Sequence, residues 1–205
     1  MFNQNLRQNK IIRTLIASDI LILSSFGLIN PIFAIFVASQ VEGGSLESVG
    51  LVTTIFFLTK ALLQVPIAQF LDKFDGERDD FVAVFLGSLL ISGVPFAYIF
   101  VSQISQLYLV ALGHGLGAAL VYPAWNALFT RHVDSGHVSA EWGLYSTLTG
   151  LGVATTAALG GFLAQNYGFP VVFALVGVFC LLGSGLLLYF YDDLRGEPRG
   201  ERRGA

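Results

Sequence analysis

Hydrophobic positions along this chain fall into six long runs, at residues 11–39, 46–71, 81–102, 107–129, 139–165 and 170–191, separated by short polar breaks. Each run is about 20 residues or longer, enough for a helix to cross a hydrocarbon core roughly 30 Å thick. None alternates with period two over its length, which argues against barrel strands. In lipid a helix satisfies its backbone groups internally, so each run is predicted to be a transmembrane helix. The breaks carry turn-forming residues: Glu42-Gly43-Gly44, Asp75-Gly76, residues 103–106, Asp134-Ser135-Gly136 and Tyr167-Gly168. The expected fold is an all-α integral membrane protein with one six-helix domain over residues 1–193. A Gly-, Pro-, Arg- and Glu-rich tail, 194–205, is expected to be disordered and cytoplasmic.

Composition sharpens this picture. The chain is 54% hydrophobic and 12% charged, roughly half the charged fraction of a soluble domain. A net charge of -3, with no basic patch interleaved with aromatics, points away from nucleic acid. Cys180 is the single cysteine and sits in an apolar run, so neither an internal disulfide nor a cysteine metal cluster is expected. The first run is too long for a signal-peptide core and has no small-residue cleavage site, so it is expected to persist as a helix.

Charge placement predicts an orientation. Ten of the eleven Lys and Arg residues fall on one side of the six runs: Arg7, Lys10, Arg13, Lys73, Arg78, Arg131, Arg195, Arg199, Arg202 and Arg203. Such asymmetry over short loops places that side, and with it both termini, in the cytoplasm, as for a plasma (inner) membrane protein. Trp125, Trp142, Tyr189 and Tyr191 are expected near the cytoplasmic face, and Tyr98, Tyr108 and Tyr167 near the outer one. Asp79 and Asp80 precede the third run and Arg131 follows the fourth, each at the helix end its charge suits. Asp72 sits at the wrong end of the second run for its dipole, so a partner is expected, with Lys73 or Arg131 the nearest.

Polar groups inside the runs are the candidates for chemistry, because an ionisable side chain at mid-membrane costs roughly 2.5–3.5 kcal/mol on insertion scales. Asp19 lies about two turns into the first run and Lys60 near the middle of the second, at depths that allow an Asp19–Lys60 pair. Gln64 follows Lys60 by one helical turn. Asn30 precedes Pro31, where proline frees a carbonyl and can kink the helix. His114, a side chain able to titrate near neutral pH, lies in a glycine-rich stretch, with Asn126 further along. Glu141 opens the fifth run. These seven are the substrate- or proton-binding candidates. Four of them also have a plainer reading: a structural ion pair or a snorkelling lysine for Asp19 and Lys60, a packing residue for His114, and for Glu141 an anion at a helix start.

Glycines form a second set. Gly113 and Gly117 make a small-xxx-small pair, and Gly152, Gly160 and Gly161 lie in the fifth run. Such residues let helices approach closely, either for static packing or for surfaces that rock. Gly183-Ser184-Gly185 together with His114 raises a serine–histidine dyad, but oxyanion donors are not recognisable and the motif reads equally as packing. His114, His132 and His137 lack metal-ligand spacing. Neither an enzyme, a metal nor a cofactor is expected.

Several stretches resemble the major facilitator superfamily, specifically its N-terminal six-helix half. Ala68-Gln69-Phe70-Leu71-Asp72-Lys73-Phe74-Asp75-Gly76 is similar to the family's loop signature Gly-x-Leu-Ala-Asp-Arg-x-Gly-Arg-Lys, with Asp72 and Lys73 matching and a glycine displaced to Gly76. Residues 113–119, with Pro123-Ala124 after them, resemble its Arg-x-x-Gln-Gly-x-Gly-Ala stretch, Ala111 standing at the Arg position and His114 at the Gln. Leu159-Gly160-Gly161-Phe162-Leu163-Ala164, Tyr167-Gly168-Phe169 and Val172-Phe173 match best, although the Gly-Pro of the antiporter signature is Thr156-Ala157. The resemblance implies secondary transport of a small solute by alternating access, with Asp72, Lys73, Gly76 and Arg131 as a conformational loop motif. It also implies a second six-helix half. Because an even helix number gives every copy the same orientation, a homodimer is expected to supply that half around a central cavity lined by the first, second, fourth and fifth helices. Protons are a candidate coupling ion through Asp19 or His114. The rival expectation is a non-transporting scaffold, or a half that pairs with a different chain.

Overall fold

The computed structural model describes residues 2–73, 77–133, 136–189 and 191, with side chains from residue 10 onward. Its helices are α1 (Phe2–Ile29), α2 (Phe33–Gln40), α3 (Leu46–Leu71), α4 (Arg78–Phe100), α5 (Ile104–His132), α6 (Val138–Tyr167) and α7 (Phe169–Leu186). All but the eight-residue α2 are long and apolar enough to cross a membrane, giving 6 spans. The chain is an all-α, multi-pass integral membrane bundle. Gly76 and the 194–205 tail lie outside the described residues.

The first predicted run is two helices rather than one. Pro31 has no N–H to donate and its ring crowds the preceding turn. The α ladder therefore stops at Ile29, and Asn30–Ile32 form a turn before α2 resumes. Pro66, Pro95 and Pro123 stay inside α3, α4 and α5. Elsewhere the helix ends follow local chemistry. Ser45 and Ser48 cap α3 reciprocally, with Ser48 N donating to Ser45 Oγ at 3.1 Å and Ser45 N to Ser48 Oγ at 2.7 Å. Gln103 and Gln106 make a similar box at the start of α5. Between α6 and α7 the chain turns on Gly168 alone, at φ 83°, a conformation that favours glycine.

Packing runs in the order α3–α5–α4–α7–α1–α6, with a thinner α1–α5 contact across the middle. Helices α4 and α7 are therefore enclosed, 44% buried along their spans, whereas α3 and α6 at the two ends of the series are only 6% and 11% buried. Two apolar cores hold the series together. One gathers Phe36, Tyr98, Leu107, Phe173, Val176 and Cys180, the other Leu15, Phe81, Val84, Leu128 and Phe129. Tyr98 thus belongs to a core, at 6% exposed, rather than to an interfacial belt.

Close approaches are set by a subset of the expected glycines. A Cβ on Gly160 would lie 2.1 Å from the Leu28 carbonyl oxygen, and one on Gly152 would lie 2.0 Å from Ser24 Oγ, so α1 and α6 meet backbone to backbone. Gly117 packs on Gly87 and Ile91 of α4. Gly113 and Gly161 face open space, so neither sets a helix contact. Gly115, not Gly113, brings α5 against α3, at the Phe56 carbonyl and Thr59.

A candidate solute cavity

Between α1, α3, α5 and α6 lies a cavity of about 560 Å³, with Ser88 and Ile91 of α4 at its back. Its volume falls within the range of small-molecule sites. Asp19, Asn30, Lys60, His114 and Asn126 all line it, so five of the seven sequence candidates converge on one space. Gln64 and Glu141 do not line it. Glu141 does sit in the first turn of α6, but its Oε2 is buried without a hydrogen-bond partner among the described residues.

The expected Asp19–Lys60 pair does not form. Asp19 Oδ2 instead accepts from the Tyr145 hydroxyl of α6 at 2.5 Å. The Lys60 ammonium lies over the Tyr122 ring of α5, 4.2 Å from its centroid, a cation–π contact. Long side chains reached different aromatic partners, which sequence depth alone could not reveal. Asn126 donates back to the Tyr122 carbonyl at 2.6 Å, one turn behind it.

Aromatic residues make up much of the remaining wall. Trp125 stacks on Phe129 at 4.9 Å and lies 4.9 Å from Tyr145, and Trp142 packs on Phe129 at 4.6 Å. Both tryptophans line the cavity. Trp125 is 6% exposed, and its buried indole N–H has no hydrogen-bond partner among the described residues. Sequence reasoning missed this wall. Its signal was present as Tyr122, Trp125 and Phe129, and Trp142 and Tyr145, at helical spacings that put each set on one face.

A second cavity of about 190 Å³ lies beyond the first, lined by Phe33, Val52, Tyr98 and Ala111 among others. The two share Phe26, Asn30, Phe56 and His114. His114 stacks on Phe26 at 5.3 Å and packs on Phe56 at 4.6 Å, so three helices meet in one aromatic divider. The broken end of α1 brings Asn30 to the same level.

At the end of the bundle where α4 begins, Arg131 pairs with Asp80, and His132 Nε2 lies 3.3 Å from Glu77. Arg131 therefore does not serve Asp72, which is exposed at the C-cap of α3 beside exposed Lys73. Asp80 is 3% exposed and in the first turn of α4, closer to Arg131 than the loop carboxylate is. The weighed serine–histidine dyad is absent. Ser184 is buried, donating to the Cys180 carbonyl at 3.0 Å and lying 3.1 Å from Ser92 Oγ, whereas His114 is held by Phe26 and Phe56.

Comparison with known proteins matches this architecture. The family model described as Major Facilitator Superfamily matches residues 15–205. An uncharacterized MFS-type transporter of Methanocaldococcus jannaschii is 25% identical over 168 residues, covering 82% of this chain and 42% of that protein. The proton-coupled antiporter flippase LtaA of Staphylococcus haemolyticus is 27% identical over 85 residues, covering 42% of this chain and 21% of the flippase. LtaA of Staphylococcus saprophyticus is 24% identical over 105 residues, 51% of this chain and 26% of its own length. The chain thus spans less than half the length of each of these relatives.

Proposed function

This chain belongs to the Major Facilitator Superfamily, and we propose that it forms one six-helix half of a secondary transporter that moves a small solute by alternating access. The observation that carries this reading is the pair of cavities divided by Phe26, His114 and Phe56. A large polar–aromatic space on one side of a thin divider, and a small one on the other, is what a carrier open to one face would contain. Rocking of α1 and α6, held together by the close contacts at Gly152 and Gly160, against α3 and α5 would exchange the two.

The second half of the cavity is supplied by a second copy of the chain. The exposed spans of α3 and α6 flank the cavity and support this reading, as does the even number of spans, which gives two copies the same orientation. Both termini lie in the cytoplasm and the bundle sits in the plasma membrane, on the strength of the Lys/Arg asymmetry. The Asp72–Lys73 loop and the Asp80–Arg131 pair then form the cytoplasmic latch. Protons are the coupling ion, carried on Asp19. Among the described residues it is the one carboxylate lining the cavity, and relatives described as proton-coupled antiporters support the choice.

Uptake into proteoliposomes, with and without a proton gradient, tests the reading against Asp19→Asn. Uptake that collapses in the variant while its folding is retained supports it. A chain that moves no solute, and whose Asp19→Asn form changes only in stability, is instead a membrane scaffold. Native mass spectrometry in lipid decides the assembly: a strictly monomeric particle that still transports excludes the homodimer, and a mass that includes another chain replaces it.

A further inference from the structure

Asp19 and Lys60 face the same cavity with opposite charges, yet each is held apart from the other by its own aromatic residue. Among the described residues neither has an ion-pair partner. A carboxylate and an ammonium sharing one low-dielectric space attract strongly, and the flexible lysine stem would ordinarily close such a gap. Here the ammonium rests on Tyr122 and the carboxylate on the Tyr145 hydroxyl, so both keep hydrogen-bonding capacity to spare. The Trp125 ring adds an aromatic face to the same wall. The rest of the wall is largely apolar or aromatic, with Ile22, Phe26 and Phe56 prominent.

Building on the transporter reading of this cavity, we propose that its solute is a zwitterion with an apolar body. The cationic group of the solute binds Asp19, against the faces of Tyr145 and Trp125, where the ring quadrupoles also favour positive charge. The anionic group binds Lys60, drawing the ammonium off Tyr122. The apolar body fills the space between. A solute with only one charge would leave the opposite wall charge desolvated and uncompensated, which is how such a site rejects it.

The test uses the full chain in lipid nanodiscs. The protein has two tryptophans, Trp125 and Trp142, and both line the cavity, so its intrinsic emission reports occupancy directly. The probes are phenylalanine and the dipeptide alanylphenylalanine, each alongside its N-acetyl form, which keeps only the anion, and its amide, which keeps only the cation. At least one zwitterion should shift the emission saturably, with both of its blocked forms binding about tenfold more weakly or worse. Asp19→Asn should erase the preference over the N-acetyl form, and Lys60→Gln the preference over the amide. Should one variant fail to fold, the other still tests its half of the pattern. The inference is overturned if neither zwitterion saturates, if blocked forms bind as well as their parents, or if the folded variants keep the preference. Uptake of a singly charged solute through this cavity would also overturn it while leaving the transporter reading intact. Zwitterion binding without any uptake would do the reverse.

Discussion

The Tyr145 hydroxyl of α6 donates to Asp19 Oδ2 of α1 across 2.5 Å, at the wall of the larger cavity. It joins α1 to α6, and it is the one hydrogen bond the carboxylate receives from the described residues. Tyr145→Phe keeps the ring packed near Trp125 and removes only that donor. Because hydrogen bonds to charged groups contribute about 1.5–3 kcal/mol, the variant is expected to unfold at lower temperature and to lose most uptake. A melting curve and an uptake assay on the same preparation check this. Unchanged uptake would mean that the contact has no part in the cycle.

Gly160 and Gly161 are adjacent yet predict opposite outcomes. Alanine at Gly160 would press its Cβ to 2.1 Å from the Leu28 carbonyl oxygen, whereas alanine at Gly161 meets nothing within 4 Å. Overpacking of this kind typically costs about 1–3 kcal/mol. Gly160→Ala should therefore lower thermal stability in detergent and slow transport, while Gly161→Ala leaves both close to wild type. Equal behaviour of the two variants would show that α1 and α6 do not meet as described.

These glycines also show how far sequence reasoning reached. Apolar run length sufficed for the six spans, because lipid leaves a helix few alternatives, and the polar residues within the runs included Asp19, Asn30, Lys60, His114 and Asn126, which line the larger cavity. Direction around each helix was harder. Gly113 looked as capable of packing as Gly117, and only three-dimensional neighbours separate them. Asp19 and Lys60 lie at similar depth, but depth does not say that Tyr145 and Tyr122 stand closer. The aromatic wall went unread because Trp and Tyr near run ends fit an interfacial belt just as well. The break at Pro31 was visible as a kink, but its extension into a separate α2 follows from tertiary support, with Phe36 and Val37 of α2 buried.

The Arg131–Asp80 pair predicts a hierarchy among the acidic residues near α4. Asp80 is 3% exposed, so removing Arg131 takes one partner away from a buried charge, and breaking a buried pair costs up to about 3–5 kcal/mol in comparable cases. Asp72 is exposed, where a charge contributes about 1 kcal/mol or less. Arg131→Ala and Asp80→Asn should both destabilise the fold, each by several times the effect of Asp72→Asn, as read from thermal unfolding in matched detergent. A double-mutant cycle should return a coupling energy for Arg131 with Asp80 and none for Arg131 with Asp72. The opposite pattern would restore the loop carboxylate as the partner of Arg131.

His114 predicts a change in accessibility rather than in stability. With Phe26 and Phe56 it separates the two cavities, and aromatic contacts of this kind contribute about 0.5–1.5 kcal/mol each. Deleting the ring should leave the bundle folded but remove the divider. Cys180 is the only cysteine and is buried, so a Cys180→Ser background makes a single reporter feasible. A cysteine replacing Asn126, in the larger cavity, should react with a membrane-impermeant thiol reagent from one side of sealed vesicles only. Adding His114→Ala, or separately Phe56→Ala, should make the same site react from both sides. Gln64→Ala, at a position lining neither cavity, should leave labelling one-sided. If labelling stays one-sided without the histidine ring, the barrier between the two faces lies elsewhere and the divider is only packing.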